Sequence, residues 1–299
     1  MLLDEVLAAL DPRPGQVVVD ATVGYGGHAA ELLRRVGPTG KLVGLDLDAD
    51  NLPKARERLA AMGHPFALHH GNFAGLAQVL AAEGLTAVDA VLADVGVSSM
   101  QIDDPGRGFS FVRDGPLDMR MDRSRGKTAA QLLNALPEHE IARALREYGD
   151  EPQADAVAAA VVARRADRPL ERTRELAELV ARAAPVRIER PGKGVPTPRQ
   201  QRLRPAARVF QALRILVNRE LANLAHLLRV LPDVLAPGGR AAVISFHSGE
   251  DRLVKQAFRD GLRAGVYAAV SDEAVRATAE ERAANPRSRS AKLRWARKA

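Results

Sequence analysis

Cysteine is absent from this 299-residue sequence, and its absence excludes disulfide bonds, thiolate catalysis and cysteine-ligated zinc sites. No apolar run approaches the ~20 residues needed to span a bilayer, so a transmembrane helix is not expected. The seven histidines lack the two-histidine helical spacing of zinc proteases, so we expect no protein-held metal. The first residues carry two acids and no basic flank, unlike a secretory signal. These absences favour a reducing compartment, and we expect a cytoplasmic protein.

The formal net charge is +7, and the positive charge is concentrated in two stretches. The range Arg182–Arg219 holds ten Arg or Lys and one acid, and Arg282–Lys298 holds seven basic residues, no acid and Trp295. Basic residues beside an aromatic ring are typical of nucleic-acid contact through phosphates and stacked bases. For the second stretch, a solvated tail is the alternative.

The stretch Val17–His28 predicts a buried strand, a tight turn and the start of a helix. Three valines lead into Asp20, and the turn contains Gly24, Gly26 and Gly27. Glycine has no Cβ, so a ligand can lie against the backbone of such a turn. The alternative is a glycine-rich turn without a ligand.

A second apolar stretch, Lys41–Leu47, contains an acid close to its carboxyl end. Asp46 lies 20 residues beyond Gly26, the spacing of the acid that accepts hydrogen bonds from ribose in nucleotide-binding βαβ units. Further apolar stretches at 66–69, 88–94 and 240–246 alternate with helical patterns, which predicts a doubly wound, mostly parallel sheet. Ligands bind beyond the carboxyl ends of such strands, where we expect Asp20, Asp46, Phe73 and Asp94.

The sheet pattern is interrupted by a long segment without strands. We predict a discontinuous sheet domain, 1–104 and 206–299, with an inserted helical domain, 105–205, that recognises the substrate. The helical spacing predicts helices at 129–136, 138–147, 154–166 and 173–183.

The segments around these helices are less regular. Residues 103–127 show no periodicity, which is typical of a functional loop. Residues 187–208 form a basic, proline-bearing stretch that predicts a linker, followed by a long helix over 206–231. From Ala283 onward we expect a partly extended arm.

Two cofactors fit these patterns. The sequence Gly24-x-Gly26-x-x-Ala29 formally satisfies the dinucleotide pattern, whereas S-adenosylmethionine needs only room for its methionine part and an acid for its ribose. The stretch at Asp94 and the Pro-Gly-Gly turn before the last strand favour the methyl donor. Hydride transfer would need a proton-handling side chain, for which His247 is the only candidate that we can place.

Several long motifs resemble one known family, the bacterial small-subunit ribosomal RNA cytosine-N4 methyltransferases of the MraW type. They are LLDE at 2–5, DATVGYGGH at 20–28, DVGVSS at 94–99, RGFSF at 107–111, GPLDMRMD at 115–122, FQALRILVN at 210–218 and ISFHS at 244–248. The resemblance covers nearly the whole chain. It implies a class I, Rossmann-like methyltransferase fold with a helical insert, and methylation of a cytosine amine in the decoding region of the ribosome.

The resemblance also implies the residues that bind S-adenosylmethionine, which by position are Gly26, Gly27, His28, Asp46, Phe73, Asp94 and Gln101. The sequence departs from the family at the site's rim. The family usually has His-x-Pro-Val before Leu2, often arginine where Tyr25 stands, and leucine where Gly249 stands. The segment after Arg259 is shorter than in many members and lacks their cysteines.

The chemistry requires a group that holds the cytosine amine and accepts its proton, and Asp94 is our catalytic candidate. An equally good alternative is that Asp94 binds only the amino group of the donor. Candidate RNA contacts are Arg107, Phe109, Arg120, Arg208 and His247. For the aromatic rings a core role is the alternative, for the arginines of 107–125 ion pairs with nearby acids, and for His247 a structural hydrogen bond.

The sequence therefore predicts methyl transfer from S-adenosylmethionine to a cytosine N4 of ribosomal RNA, within the small subunit, by a protein that does not bind membranes. A nicotinamide-dependent oxidoreductase and a non-catalytic RNA-binding protein on the same fold are the rival predictions. A homodimer is compatible with the sequence, which does not determine the oligomeric state.

Overall fold

The computed structural model describes residues 1–189 and 197–299 and divides the chain into two compact units. Met1–Gly96 and Leu221–Ala299 form one, here called the sheet unit, and Val97–Glu220 forms the other, the helical unit. The sequence placed these boundaries at 104/105 and 205/206. The compact units place them at 96/97 and 220/221.

Seven strands form one sheet, in the order β3-β2-β1-β4-β5-β7-β6. They are β1 (Val17–Asp20), β2 (Lys41–Asp46), β3 (Phe66–His70), β4 (Val88–Asp94), β5 (Leu235–Ser245), β6 (Tyr267–Val270) and β7 (Lys292–Lys298). The neighbours from β3 to β5 pair in parallel, and β7 pairs antiparallel with both β5 and β6. The predicted class I, doubly wound and mostly parallel sheet is confirmed.

The described residues contain thirteen α-helices. They are α1 (Leu3–Leu10), α2 (Gly27–Val36), α3 (Leu52–Ala60), α4 (Leu76–Ala82), α5 (Ser99–Asp103), α6 (Ala129–Ala135), α7 (Glu138–Gly149), α8 (Ala154–Asp167), α9 (Thr173–Ala183), α10 (Pro198–Asn218), α11 (Glu220–Val234), α12 (Ser248–Arg263) and α13 (Ala279–Ala284). None of the helices described at 1–189 and 197–299 is both long and apolar enough to cross a membrane.

The sheet unit has a hydrophobic core on each face of the sheet, because successive side chains of a strand point to opposite faces. In β1, Val18 packs with α1, α2 and α3 on one face, and Val19 packs with α4, α11 and α12 on the other. The central strands are buried on both faces, which explains their continuous apolar sequences.

The prediction of a partly extended arm after Ala283 is wrong. Strand β7 lies between β5 and β6 and places Leu293 and Ala296 in the core. Its charged residues are also used structurally: Arg294 Nε donates to Asp251 Oδ1 at 2.7 Å, and Lys298 Nζ donates to two backbone carbonyls. Trp295 packs partly buried against the core. The basic stretch thus runs from the end of α13 through a 3-10 turn at Pro286–Ser290 into β7, and its last seven residues are a sheet strand and not a free arm.

The helical unit packs α6 to α10 around its own core. Its buried side chains include Leu133, Ile141, Val157, Leu176 and Phe210. The predicted helices at 129–136, 138–147, 154–166 and 173–183 match α6 to α9 closely. Each has the apolar spacing of a helix with one buried face.

The linker prediction is wrong for residues 198–208, which are helical, and residues 190–196 of it lie outside the described residues. Helix α10 begins with a capping box, in which Thr197 and Gln200 exchange side-chain hydrogen bonds, and with Pro198 in the first turn. The single helix predicted over 206–231 is two helices, because Arg219 is left-handed (φ 52°) and ends α10.

Candidate active site

Three aspartates end neighbouring strands at the carboxyl edge of the sheet, as the sequence predicted. Asp46 of β2, Asp20 of β1 and Asp94 of β4 each occupy the last strand position, and β1 pairs in parallel with both β2 and β4. Phe73 follows β3 at the start of a 3-10 turn and packs partly buried against the core. This edge is where ligands bind in open α/β sheets.

The glycine-rich turn after β1 needs glycine at two positions. Gly24 and Gly26 have φ values of 53° and 78°, a region that side chains with a Cβ rarely adopt. A Cβ added at Gly24 would meet no atom within 4 Å, so the space over this part of the turn is open. Gly26 also caps α2, whose first helical residue is Gly27. The turn thus offers an accessible backbone and a helix N-terminus at the strand edge.

Asp46 holds this turn in place. One carboxylate oxygen accepts from Gly24 N at 2.6 Å, and the other accepts from Asp48 N at 2.8 Å and from Asn51 Nδ2 at 3.1 Å. Burial raises the pKa of Asp46, and these hydrogen bonds oppose the rise. The sequence predicted a ribose acceptor here. The structure shows that this carboxylate fixes the glycine turn, and its role as a ribose acceptor stays a prediction.

Thr22 links Asp20 to Asp94, a relationship that sequence reasoning missed. The backbone N–H of Thr22 donates to Asp20 Oδ1 at 3.1 Å, and its hydroxyl oxygen accepts from Asp94 N at 2.7 Å. The Thr22 hydroxyl also lies 3.5 Å from Asp20 Oδ1. The only signal in the sequence is a threonine two residues after a strand-end acid, the spacing at which an Asp side chain bonds the backbone ahead of it.

Burial raises the pKa of both acids. Desolvation raises the pKa of Asp20, which is 1% exposed, to about 7. It also raises the pKa of Asp94 to about 7, although 24% of the Asp94 side chain is exposed. Within the described residues, Asp20 Oδ2 and Asp94 Oδ1 are buried without a hydrogen-bond partner. Buried polar atoms normally have partners, so these oxygens mark a place for a cationic or hydrogen-bonding ligand.

His28 contacts Asp94 as a neutral ring. Its Nε2 lies 2.8 Å from the carbonyl oxygen of Met1, which can only accept, so Nε2 carries the proton. Desolvation lowers the pKa of His28 to about 4, so near neutral pH its Nδ1 is an acceptor. This Nδ1 lies 3.8 Å from Asp94 Oδ2. His28 therefore provides no positive charge to Asp94.

The residues after β5 border Asp94. Val95 N donates to Ile244 O at 3.0 Å, and the ring of Phe246 lies 3.2 Å from where a Cβ of Gly96 would be. Gly96 has a φ of 120°, so a larger residue there would be strained. Phe246 thus packs closely on the backbone that follows β4.

His247 caps helix α12. Its Nδ1 accepts from Glu250 N at 3.4 Å, and Glu250 Oε2 accepts from Phe246 N and His247 N. These are the structural hydrogen bonds that the sequence left as the alternative to an RNA contact. An RNA contact by His247 stays a prediction.

In the helical unit, the predicted site residues have structural partners. Gln101 forms a capping box with Ser98 at the start of α5. Arg107 is 6% exposed, and its guanidinium donates to the carbonyls of Arg120 and Met121. Arg120 makes a two-pronged ion pair with Asp118, at 2.7 and 2.9 Å. These contacts order the loop over 103–127.

The remaining candidates of the helical unit are partly packed in its core. Phe109 and Phe111 pack against the core, and Phe111 meets Phe210 edge to face at 4.9 Å between ring centroids. Arg208 lies 3.8 Å from the buried carboxylate of Glu151. Donor binding by Gln101 and RNA binding by Arg107, Phe109, Arg120 and Arg208 stay predictions.

Known proteins are similar to the chain over its full length. The profile of the MraW methylase family matches residues 1–299. The ribosomal RNA small subunit methyltransferase H of Syntrophotalea carbinolica is 48% identical, with 99% of this chain and 96% of that protein covered. That of Symbiobacterium thermophilum is 47% identical, with 98% and 94% covered. Among solved structures, fibrillarin of Aeropyrum pernix in complex with S-adenosyl-L-methionine matches with a TM-score of 0.42 and 11% identity, covering 98% of this chain and 74% of that one.

Proposed function

The chain belongs to the MraW methylase family, and from this premise we propose that it transfers a methyl group from S-adenosylmethionine to the N4 amine of a cytosine in small-subunit ribosomal RNA. The curated relatives are named as ribosomal RNA small subunit methyltransferases, and they cover nearly the whole chain. The decoding region is the part of the RNA that the resemblance implies. The proposed location is the cytoplasm, where ribosomes are found.

One observation supports the cofactor above all others. The two partnerless oxygens of Asp20 and Asp94 are buried beside the open, positive-φ turn at Gly24. The amino-terminal ammonium of Met1 acts on Asp94 from nearby, but it does not hydrogen-bond the partnerless oxygen. Two buried carboxylate oxygens without a donor complement a ligand that carries a sulfonium and an ammonium group. A dinucleotide would instead bring an anionic pyrophosphate to this edge, and buried carboxylates would oppose it.

The proposed donor-binding residues are those that the family motifs give, Gly26, Gly27, His28, Asp46, Phe73, Asp94 and Gln101. Asp46 would accept from the ribose hydroxyls while it holds Gly24, because a carboxylate can accept about four hydrogen bonds. Phe73, which follows the neighbouring strand β3, would contact the adenine base of the donor. The ring of His28 is neutral near pH 7, so it adds no positive charge of its own beside Asp94.

The residues of the site supply positioning and proton transfer. When bound, S-adenosylmethionine supplies a methyl group on a positively charged sulfur. The cytosine nitrogen is a weak nucleophile because its lone pair is delocalised into the ring, so it must be held in line with that methyl. Asp94 Oδ1, which has no protein donor, would accept a hydrogen bond from the amine and would then take up the proton that the amine loses on methylation. Positioning of this kind contributes several kcal/mol to catalysis.

A pKa of about 7 suits this role, since Asp94 is then half ionised near neutral pH and can take up a proton. In the alternative, Asp94 only binds the donor's amino group. Asp94→Asn separates the two: loss of methyl transfer with retained donor affinity supports the acceptor role, and loss of donor affinity supports the binding role.

Methyl transfer to small subunits from a strain that lacks this enzyme tests the function. With radiolabelled donor, we expect one labelled cytosine, with the label on N4, and no label with an Asp94→Asn control. Label on carbon 5, on protein or on free nucleotides would contradict the proposal. Fluorescence titration with NADH, for which we expect no binding, tests the oxidoreductase prediction in the same preparation.

A further inference from the structure

The first two turns of α10 carry arginines that the fold does not use. Arg199, Arg202 and Arg204 are exposed, and none of them forms an ion pair or side-chain hydrogen bond within 1–189 and 197–299. The stretch 197–219 contains six arginines and no acid. Of the other three, Arg208 and Arg214 lie near Glu151 and Glu220. The start of α10 is therefore a concentrated positive surface.

This surface differs from the loop at 103–127, where the sequence predicted RNA contacts. The loop arginines Arg107 and Arg120 are committed to carbonyls and to Asp118. Arg107 is 6% exposed, and the charge of Arg120 is neutralised by Asp118, so neither presents a free guanidinium to a phosphate. The three exposed arginines of α10 have no such partner within the described residues, so they are the better phosphate ligands.

The charge at the start of α10 works against the helix itself. The positive end of the helix dipole favours acids in the first turn, and α7, α8 and α9 each have at least one there, whereas α6 has none. Helix α10 has none, and Arg199 occupies its first turn. Arg199 therefore adds its charge to the positive end of the helix dipole, which strengthens the positive potential of this surface.

The surface is also held rigidly. Gln201 is 2% exposed and points into the unit, where its side chain accepts from Glu189 N at 2.7 Å and donates to Glu189 O at 3.3 Å. The capping box of Thr197 fixes the start of the helix. Gln201 and the capping box therefore anchor the two turns that carry the three arginines, so little backbone ordering would be needed on binding.

Resting on the proposed function, we propose that Arg199, Arg202 and Arg204 form a phosphate-binding surface for the RNA substrate. Three free guanidinium groups on one rigid helix end match the repeated phosphates of an RNA strand, and each can donate two parallel hydrogen bonds to one phosphate. The contacts are to the backbone, so they position the RNA and do not read its sequence.

The salt dependence of RNA binding tests this surface. The probe is small-subunit RNA bound in the presence of S-adenosylhomocysteine, so that no reaction occurs. For R199Q/R202Q/R204Q we expect the slope of log affinity against log salt to become shallower by about 2, because each lost phosphate contact contributes ~0.7–0.9. The lysine variant R199K/R202K/R204K should retain the slope, since it keeps the charge.

A matched control removes the same charge elsewhere. Arg56, Arg259 and Arg276 are exposed residues of the sheet unit without an ion pair among the described residues, and R56Q/R259Q/R276Q should leave the slope within ~0.5 of the parent. Equal slopes for the two glutamine triples would overturn the proposal, as would a shallow slope for the lysine triple. If the slope of R199Q/R202Q/R204Q equals that of the parent, the surface does not bind the RNA, and a different partner, such as an acidic protein, would have to explain its charge.

Activity measurements separate this inference from the proposed function. In the α10 triple we expect a raised KM for RNA, with an unchanged kcat and an unchanged affinity for S-adenosylmethionine. If the parent enzyme does not methylate RNA at all, the proposed function fails. If it does, and the triple variant has the parent's KM and salt slope, only the α10 surface fails.

Discussion

The backbone N–H of Asp94 donates a 2.7 Å hydrogen bond to the hydroxyl oxygen of Thr22. Asp94 is the last residue of β4 and Thr22 follows the neighbouring strand β1, so the bond ties the end of β4 to the turn after β1. Because the Thr22 N–H also donates to Asp20, one threonine sets the spacing of two buried acids. We infer that Thr22 is a positioning residue for the proposed cofactor site.

Replacing Thr22 with valine tests this role. Valine has the same shape but cannot accept from Asp94 N, and an unsatisfied buried N–H costs about 1–3 kcal/mol. We expect weaker binding of S-adenosylmethionine, by roughly tenfold for every 1.4 kcal/mol of binding free energy that the site loses. Titration calorimetry measures this affinity. Thr22→Ser keeps the acceptor and should bind like the parent. A valine variant with the parent's affinity and melting temperature would refute the positioning role.

Cofactor affinity should depend on pH because of Asp20 and Asp94. Their pKa values, raised to about 7 by burial, leave both acids largely neutral at pH 6 and largely ionised at pH 8. A cationic ligand favours the ionised forms, so S-adenosylmethionine should bind more tightly as the pH rises and should release protons near pH 7. Calorimetry in buffers of different ionisation enthalpy measures that release.

S-adenosylhomocysteine is the control for this pH effect, because it lacks the sulfonium charge. We expect a smaller increase in its affinity between pH 6 and pH 8. Asp20→Asn should flatten the profile for the methyl donor, since asparagine does not ionise. Parallel profiles for the two ligands would contradict an electrostatic role for the buried acids.

Asp46→Ala should abolish measurable donor binding for two reasons. The substitution removes the proposed ribose acceptor, and it also removes the acceptor for Gly24 N. Asn51→Ala deletes only one of the three donors to Asp46 and should weaken binding modestly, by the ~1 kcal/mol of a single hydrogen bond. Unchanged calorimetric affinity in the Asp46 variant would contradict the assignment.

The carboxyl-terminal strand should matter for stability. Leu293 is 0% exposed, so Leu293→Ala should lower the free energy of unfolding by about 2–5 kcal/mol in urea titrations. Arg297 is exposed on the same strand, and Arg297→Gln should change it by less than ~0.5 kcal/mol. A free RNA-binding arm would give the opposite pattern. Arg297→Gln would then weaken RNA binding, and Leu293→Ala would leave the free energy of unfolding unchanged.

Much of the sheet unit could be predicted from the sequence. Strands β1, β2 and β4 are short apolar runs bounded by turns, and each ends in an acid. Once the sheet is parallel, its topology alone brings Asp20, Asp46 and Asp94 to one edge. The helices from α6 to α9 follow equally directly from their apolar spacing.

Some predictions failed because a local signal for the start of a helix was overlooked, and others because a partner far away in the chain overrode the local pattern. Proline and arginine near 198–208 indicated a linker, but a capping box and the buried Gln201 stabilise a helix there. The charges around Trp295 indicated solvent, yet Arg294 pairs with Asp251, which is 43 residues away in the chain. Thr22 and Asn51 were missed because their partners are defined only by the folded arrangement.

Strands β4 and β5 are sheet neighbours, although the whole helical unit separates them in the chain. Bringing two such distant segments together has a large entropic cost and slows folding. The helical unit relies on nearer contacts and has its own core, so we expect it to fold early. Asp94, at the end of β4, therefore acquires its final neighbours late in folding. The carbonyl of Ile244, which accepts from Val95 N, is in place only after β5 has joined the sheet. We therefore expect the part of the proposed cofactor site between β4 and β5 to be among the last parts of the molecule to become native.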